Sequence, residues 1–444
     1  MTSAGPIRQR LDGALAADWR RAFIIQLAIV FLQVTGQHAT RPTVTYRALE
    51  LGASTLEIGL VQSAFSLIPT LAAVAVGRWV DRKGERAYIA IAMAILTIGN
   101  LMATYTDGLL LLGISQLISG MGQILFLVTS QALVANYGPR ESREVRYGHY
   151  ATVNSFGQLA GPALAALVIG SGLGLTGGGL VPPTTPTLAF LANALLTGTA
   201  AAIALLLPRP RRDGDGATSG SGQPGTLRMA RQVLRRQGMA PAMTVSIVVA
   251  SAVDVVIAYL PVYGEAVGLS VGLVGLLLSI RGIAGLVARI FMAQLIRLLT
   301  RERTLALSML VAGLGLIALP FVTAQWLLVV LMVFIGAGLG LGAPMTIAWV
   351  ANRSPRSERA TALGVRITGN RGALLVVPSL MGAVAGAAGI MAIFLLLAGA
   401  LLGGAALASV TPFDALAGGR EETSGGGRQN ADGGGVDGEG HTGA

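Results

Sequence analysis

Uncharged stretches about twenty residues long recur through this 444-residue sequence, and no other feature constrains its fold so tightly. A helix of that length crosses the ~30 Å hydrocarbon core of a bilayer. Charged residues make up 12% of the chain and hydrophobic residues 53%. Soluble domains carry about 25% charged residues, and this chain has half that supply of water-facing groups. It reads as an all-α polytopic membrane protein. Cysteine is absent, which excludes disulfide frameworks, thiolate metal sites and thiol nucleophiles. His38, His149 and His441 are too scattered for a histidine metal site, so neither metal nor cofactor is expected.

Apolar stretches bounded by charge or by Gly/Pro turns mark twelve spans. They lie near 22–46, 57–79, 86–106, 108–136, 147–171, 187–207, 241–263, 271–296, 303–323, 325–350, 360–384 and 387–410. They fall into two six-helix bundles, 22–207 and 241–412. A polar segment (1–21) precedes the first, a polar loop (208–240) joins the two, and a Gly-rich, charged tail (413–444) is expected to be disordered. With the N-terminus in the cytoplasm, 26 of the 32 basic residues fall on the cytoplasmic side, and no external loop beyond span one carries any. That bias places both termini in the cytoplasm and accounts for the net charge of +11 without nucleic acid. The Arg-containing N-terminus runs directly into a full-length span, so no cleaved signal peptide is expected. The expected setting is a monomer in contact with lipid, crossing a bacterial inner (cytoplasmic) membrane many times.

Sliding the sequence by 216 residues aligns its two halves. Ala132, Val134, Ala135 and Asn136 fall on Ala348, Val350, Ala351 and Asn352, while Pro139, Arg140 and Arg143 fall on Pro355, Arg356 and Arg359. Gly148, Thr152, Asn154 and Pro162 meet Gly364, Thr368, Asn370 and Pro378; Gly52, Ser54 and Gly59 meet Gly268, Ser270 and Gly275. An ordered set of this kind, running through a loop, marks two parallel six-helix repeats, an architecture used by secondary transporters.

After span two, Gly77-Arg-Trp-Val-Asp81-Arg82-Lys83-Gly84-Glu-Arg86 would combine close helix packing at Gly77 with a turn at Gly84. Asp81 is suited to a neighbouring helix N-terminus, where it could latch one end of the bundle. This loop resembles the signature G-x-L-x-D-R-x-G-R-[RK] of the major facilitator superfamily. Its shifted counterpart, with Arg297 at the aspartate position, is degenerate. In span five, Gly157-x-x-x-Gly161-Pro162 is similar to the motif of the drug and metabolite:proton antiporter branches, although close small-residue packing alone would also explain it. Span four departs from many drug exporters, because Gln116 stands where they carry an arginine before Gly120-Met-Gly122. The resemblance covers residues 20 to 410 and implies twelve helices with pseudo-symmetric halves. Spans 1, 2, 4, 5, 7, 8, 10 and 11 would then surround a cavity that opens alternately to either side.

Charges inside a membrane cost several kcal/mol unless paired or hydrated, so each requires a reason. Asp254, in span seven, is the only acid deep in any span, and His38 occupies the corresponding place in span one. Both can titrate. Gln33, Gln37 and Arg41 form an i, i+4, i+8 stripe beside His38. Arg281 lies inside span eight, while Arg366 and Asn370 share a face of span eleven. Gln116 and Gln123 of span four, Asn154 and Gln158 of span five, and Tyr259 of span seven complete the candidate lining. For Arg289 and Arg371 a static structural contact is the favoured role.

No nucleotide-binding loop of the G-x-x-x-x-G-K-[ST] type is present, and neither the short external loops nor the single deep acid suit a membrane enzyme. The expected function is secondary active transport, with protons the coupling ion. The leading expectation is efflux by antiport of a drug-like or anionic metabolite, as in multidrug resistance; the alternative is proton symport of an organic acid.

Overall fold

The computed structural model describes residues 5–83, 85–136, 143–169, 186–207, 234–354 and 359–413. Among these there are twelve long helices and no strand. In the first half they are α1 (Gly5–Glu50), α2 (Thr55–Lys83), α3 (Glu85–Thr104), α4 (Leu109–Asn136), α5 (Arg143–Ile169) and α6 (Pro186–Ala204). In the second they are α7 (Met239–Ala266), α8 (Val271–Ile290), α9 (Arg301–Ala318), α10 (Gln325–Asn352), α11 (Arg359–Ala388) and α12 (Ile390–Val410). Eleven are long and apolar enough to cross a membrane. The exception is α5, whose first half carries Arg143, Glu144, Arg146, His149 and Asn154.

The duplication extends to backbone geometry. Gly52 and Gly268, equivalent under the 216-residue shift, have φ of 73° and 74° and end α1 and α7 with the same turn. A side chain would be strained there, which is why glycine stands at both. The next helices begin alike, with Ser54 and Ser270 accepting the backbone N–H of Glu57 and Leu273. Helix pairing repeats as well: α1/α5, α2/α4, α3/α4 and α3/α6 correspond to α7/α11, α8/α10, α9/α10 and α9/α12.

Span eight differs from the expected 271–296. Its helix stops at Ile290, and a separate eight-residue helix, Met292–Leu299, follows with no buried residue. Met292, Leu295, Ile296 and Leu299 share one face of it and Arg297 lies off that face, a pattern suited to lying along an apolar surface. Elsewhere α1 and α11 extend beyond the expected limits at both ends. Leu71, Leu110, Leu195, Leu314, Trp326 and Leu395 point outward and exposed, an apolar belt that only lipid covers favourably.

The halves meet through α2 against α11, α5 against α8, and α1 against α7. The first two contacts are exchanged by the internal repeat. At the end opposite the chain termini the fit is close. A Cβ on Gly59 would lie 2.5 Å from the Pro378 carbonyl oxygen, and one on Gly382 would lie 2.7 Å from the Tyr259 hydroxyl. Tyr259 donates to the Pro378 carbonyl at 2.7 Å, Thr55 to that of Gly382 at 2.9 Å, and Thr45 to that of Ala258 at 2.9 Å. The Ser63 and Ser379 hydroxyls are 2.8 Å apart. In this cysteine-free chain, Ser63→Cys with Ser379→Cys should therefore form a disulfide on mild oxidation, seen as a gel-mobility shift and reversed by reductant. The bond should also arrest transport; failure to cross-link would show that the two helices do not close here.

Candidate functional site

Asp254 stands midway along α7, where the rest of the helix is apolar and mostly buried. Its carboxylate pairs with the Arg41 guanidinium of α1, the two side chains being 14% and 12% exposed. Arg41 also stacks over Phe65 of α2, with 5.3 Å from the guanidinium carbon to the ring centroid. The other ion pair among the described residues, Arg47–Glu50, is local to one turn of α1. Arg41–Asp254 is thus the one ion pair there that joins the halves. Removing a single partner from such a pair leaves an uncompensated charge, at a cost of about 3–5 kcal/mol.

Two cavities flank the pair. The first, with about 400 Å³ of empty space, lies within the first half. Arg41 forms part of its wall, together with Gln33, Gln37, Gln62, Asn100, Gln116 and Ser119. Gln33 donates to Gln123 at 2.5 Å and to Gln37 at 3.3 Å, and Gln62 donates to Thr45 at 3.0 Å. The second cavity, about 520 Å³, lies between the halves. Its polar lining is His38 from α1, Ser155 and Gln158 from α5, and Arg281 and Arg289 from α8, beside Val253 and Ile257, which flank Asp254. No acid lines it. The Arg281 Nε is buried without a hydrogen-bond partner, while the Arg289 Nε donates to the Gly340 carbonyl at 2.8 Å. Close helix packing frames this space, because a Cβ on Gly336 or Gly340 would strike the α8 backbone.

The sequence candidates therefore divide. Asp254, Arg41, His38, Arg281, Gln33, Gln37, Gln116, Gln123 and Gln158 belong to the pair, the cavities or their hydrogen-bonded rim. Asn154 accepts from Gln158 at 2.5 Å and holds it from one turn away. Tyr259, Arg366 and Asn370 stand elsewhere. Tyr259 is buried in the contact between halves, Arg366 donates to Thr346 at 2.9 Å, and Asn370 accepts from Ser246 at 3.2 Å. Gly157 and Gly161 seat α5 against Val34, Thr35, His38 and Ala39 of α1, and Pro162 is buried inside α5. Gly77, Asp81 and Arg82 are helical residues of α2, and Gly84 lies outside the described residues. Arg86 donates to the Leu205 carbonyl. Sequence reasoning passed over Gln62, Asn100 and Ser155 and assigned Arg289 a structural contact. Asn100 carried a usable signal, being an amide one turn from the end of a largely apolar span.

The Major Facilitator Superfamily model matches the chain over residues 26–322 and 243–427. Multidrug resistance protein 2 of Bacillus subtilis is 23% identical over 158 residues, 35% of this chain and 39% of that protein. Quinolone resistance protein NorA of Staphylococcus aureus is 21% identical over 139 residues, 31% of this chain and 36% of its own. The chain thus spans about two fifths of the length of the curated relatives it matches. Among solved structures, the nucleoside transporter NupG superimposes with a TM-score of 0.70 at 16% identity, covering 87% of this chain and 98% of its own. A bacterial homologue of the human lysosomal transporter Spinster, inward-facing and unoccupied, gives 0.62 at 15% identity, covering 88% and 95%. With the repeated six-helix halves and their shared fold, these matches show that the chain is a multi-pass membrane protein belonging to the Major Facilitator Superfamily.

Proposed function

We propose that the protein is a proton-coupled secondary transporter of a small organic anion, working by alternating access in the cytoplasmic membrane of a bacterium. One observation carries this reading: the Arg41–Asp254 pair across the halves adjoins a cavity lined by His38, Arg281 and Arg289 and, among the described residues, by no acid. Arginines without counter-charges inside the protein, where the dielectric is lower, attract an anion more strongly than they would in water. A proton on Asp254 neutralises the carboxylate and leaves Arg41 in need of a counter-ion, which the anion supplies. Proton and anion then occupy the protein together and cross together, and the relation between the halves is free to change while the pair is broken.

Exchange is the second reading, favoured by the names of the relatives, a multidrug resistance protein and a quinolone resistance protein. A compound that bonds directly to the Asp254 carboxylate competes with the proton, so inward proton movement drives the compound out. Liposomes loaded with a pH-sensitive dye separate the two. Adding the best thermal-shift hit from a panel of carboxylates, organic phosphates and lipophilic cations should acidify the interior under co-transport; loss of interior protons would favour exchange.

In either case Asp254→Asn should abolish gradient-driven accumulation while labelled-substrate exchange at equal pH persists; undiminished accumulation would reject the assignment. Arg281→Gln should raise the half-saturating anion concentration about tenfold or more, the worth of one hydrogen bond to a charged group. Arg281→Lys should recover part of that loss, since it keeps the charge and gives up the bidentate fork. An unchanged concentration in Arg281→Gln would remove Arg281 from the site.

A further inference from the structure

The polarity of the first cavity is not required by the fold. Under the 216-residue shift its residues Gln33, Thr40, Gln62, Asn100, Gln116 and Ser119 fall on Val249, Val256, Leu278, Leu316, Met332 and Ile335. Those six counterparts are all buried in the apolar core of the second half. Both halves use the same helix pairings, so hydrocarbon fills these positions in one copy where amides and hydroxyls line them in the other. Polar groups buried in a membrane protein are expensive, and these have an apolar solution in the same molecule.

One of them, and one residue just behind the wall, also leave a polar atom unmatched. The Gln33 Oε1 is buried without a hydrogen bond, as is the Oδ1 of Asn193, whose Nδ2 donates to Thr40 at 3.0 Å. Thr40 in turn donates to Asn100 at 3.2 Å. A cavity with unmatched polar atoms holds water, and this one, open at one side, has internal room for a water molecule or two. The wall of this cavity includes Arg41, whose guanidinium rests on Asp254.

We infer that the first cavity is a hydrated relay, delivering the proton to Asp254 by a path inside the first half and separate from the anion's cavity between the halves. The inference rests on the reading of Asp254 as the proton-coupling group. In the transfer, the last water gives up an O–H proton and an O–H bond forms on the Asp254 carboxylate; each water behind it is reprotonated by the next, and nothing is oxidised. Arg41 keeps its proton and its contact with the carboxylate weakens. Besides Arg41, the charged or titratable groups near the pair among the described residues are His38 of α1, with Arg281 of α8 beside it, and Arg371 of α11. The amides cannot carry a proton, and their part is to hold the water in line.

The test uses the full chain in lipid nanodiscs and needs no substrate. After a rapid drop in pH, the carboxyl C=O stretch of protonated Asp254 is followed by infrared absorption, assigned by its loss in Asp254→Asn. Gln33→Val with Asn100→Leu and Gln116→Met, which installs the second half's own residues, should slow the rise of that band about tenfold or more while its equilibrium titration midpoint barely moves. Gln116→Asn, which keeps an amide, should retain most of the unmodified rate. Should the triple variant fail to fold, Gln116→Met alone carries the same comparison. A band that rises equally fast in the apolar variant overturns the relay and leaves Asp254 as the proton site. A band absent from the unmodified protein at every pH overturns the coupling reading and the relay with it.

Discussion

An arginine and an aspartate taken out of water are tolerable only while they compensate each other, and here one belongs to each half of the molecule. The Arg41–Asp254 pair ties α1 to its repeat partner α7 at the centre of the chain, where most other contacts between the halves are packing or neutral hydrogen bonds. Packing is indifferent to protons and ligands. An ion pair is not: its strength depends on whether the carboxylate is charged and on whether another anion claims the guanidinium. The arrangement of the halves thereby becomes sensitive to protonation and to a competing anion.

The duplicated scaffold has been specialised differently on its two sides. Phe65 of the first half corresponds to Arg281 of the second, and Gln33 to Val249. One copy carries an amide-lined cavity, the other contributes the arginines of the cavity between the halves, and the pair stands where the two spaces approach. Identical helix pairing beneath such different linings separates what the fold needs from what the chemistry needs. Close packing at Gly59 and Gly382 brings the two halves into direct contact at one end.

Hydropathy was enough for the helices, because lipid demands uninterrupted apolar length, and the repeat was legible because the same turns recur at Gly52 and Gly268. Asp254 stood out as the lone deep acid. Its partner was harder to name. The repeat points to His38, which shares the backbone position, whereas the guanidinium that reaches Asp254 comes from Arg41, one turn further along α1. Equivalence under a repeat does not say which side chain bridges a helix crossing. Arg289 was read as a structural contact; it does hold the Gly340 carbonyl, yet it lines the second cavity too. The break at Phe291 had no proline or glycine to announce it, and the first cavity needed the spatial neighbourhood of Asn100, Gln116 and Gln33 on three different helices.

Counting the protons that accompany binding tests the account most directly. Calorimetric titration of the purified protein with its anion, repeated in buffers of different ionisation enthalpy, yields the number of protons taken up per ligand. If the anion and Asp254 exchange Arg41 between them, uptake approaches one proton per anion at a pH above the Asp254 midpoint of the free protein and below that of the anion-bound protein, and it vanishes in Asp254→Asn. Binding with no proton uptake at any pH, or with release of a proton, would contradict it.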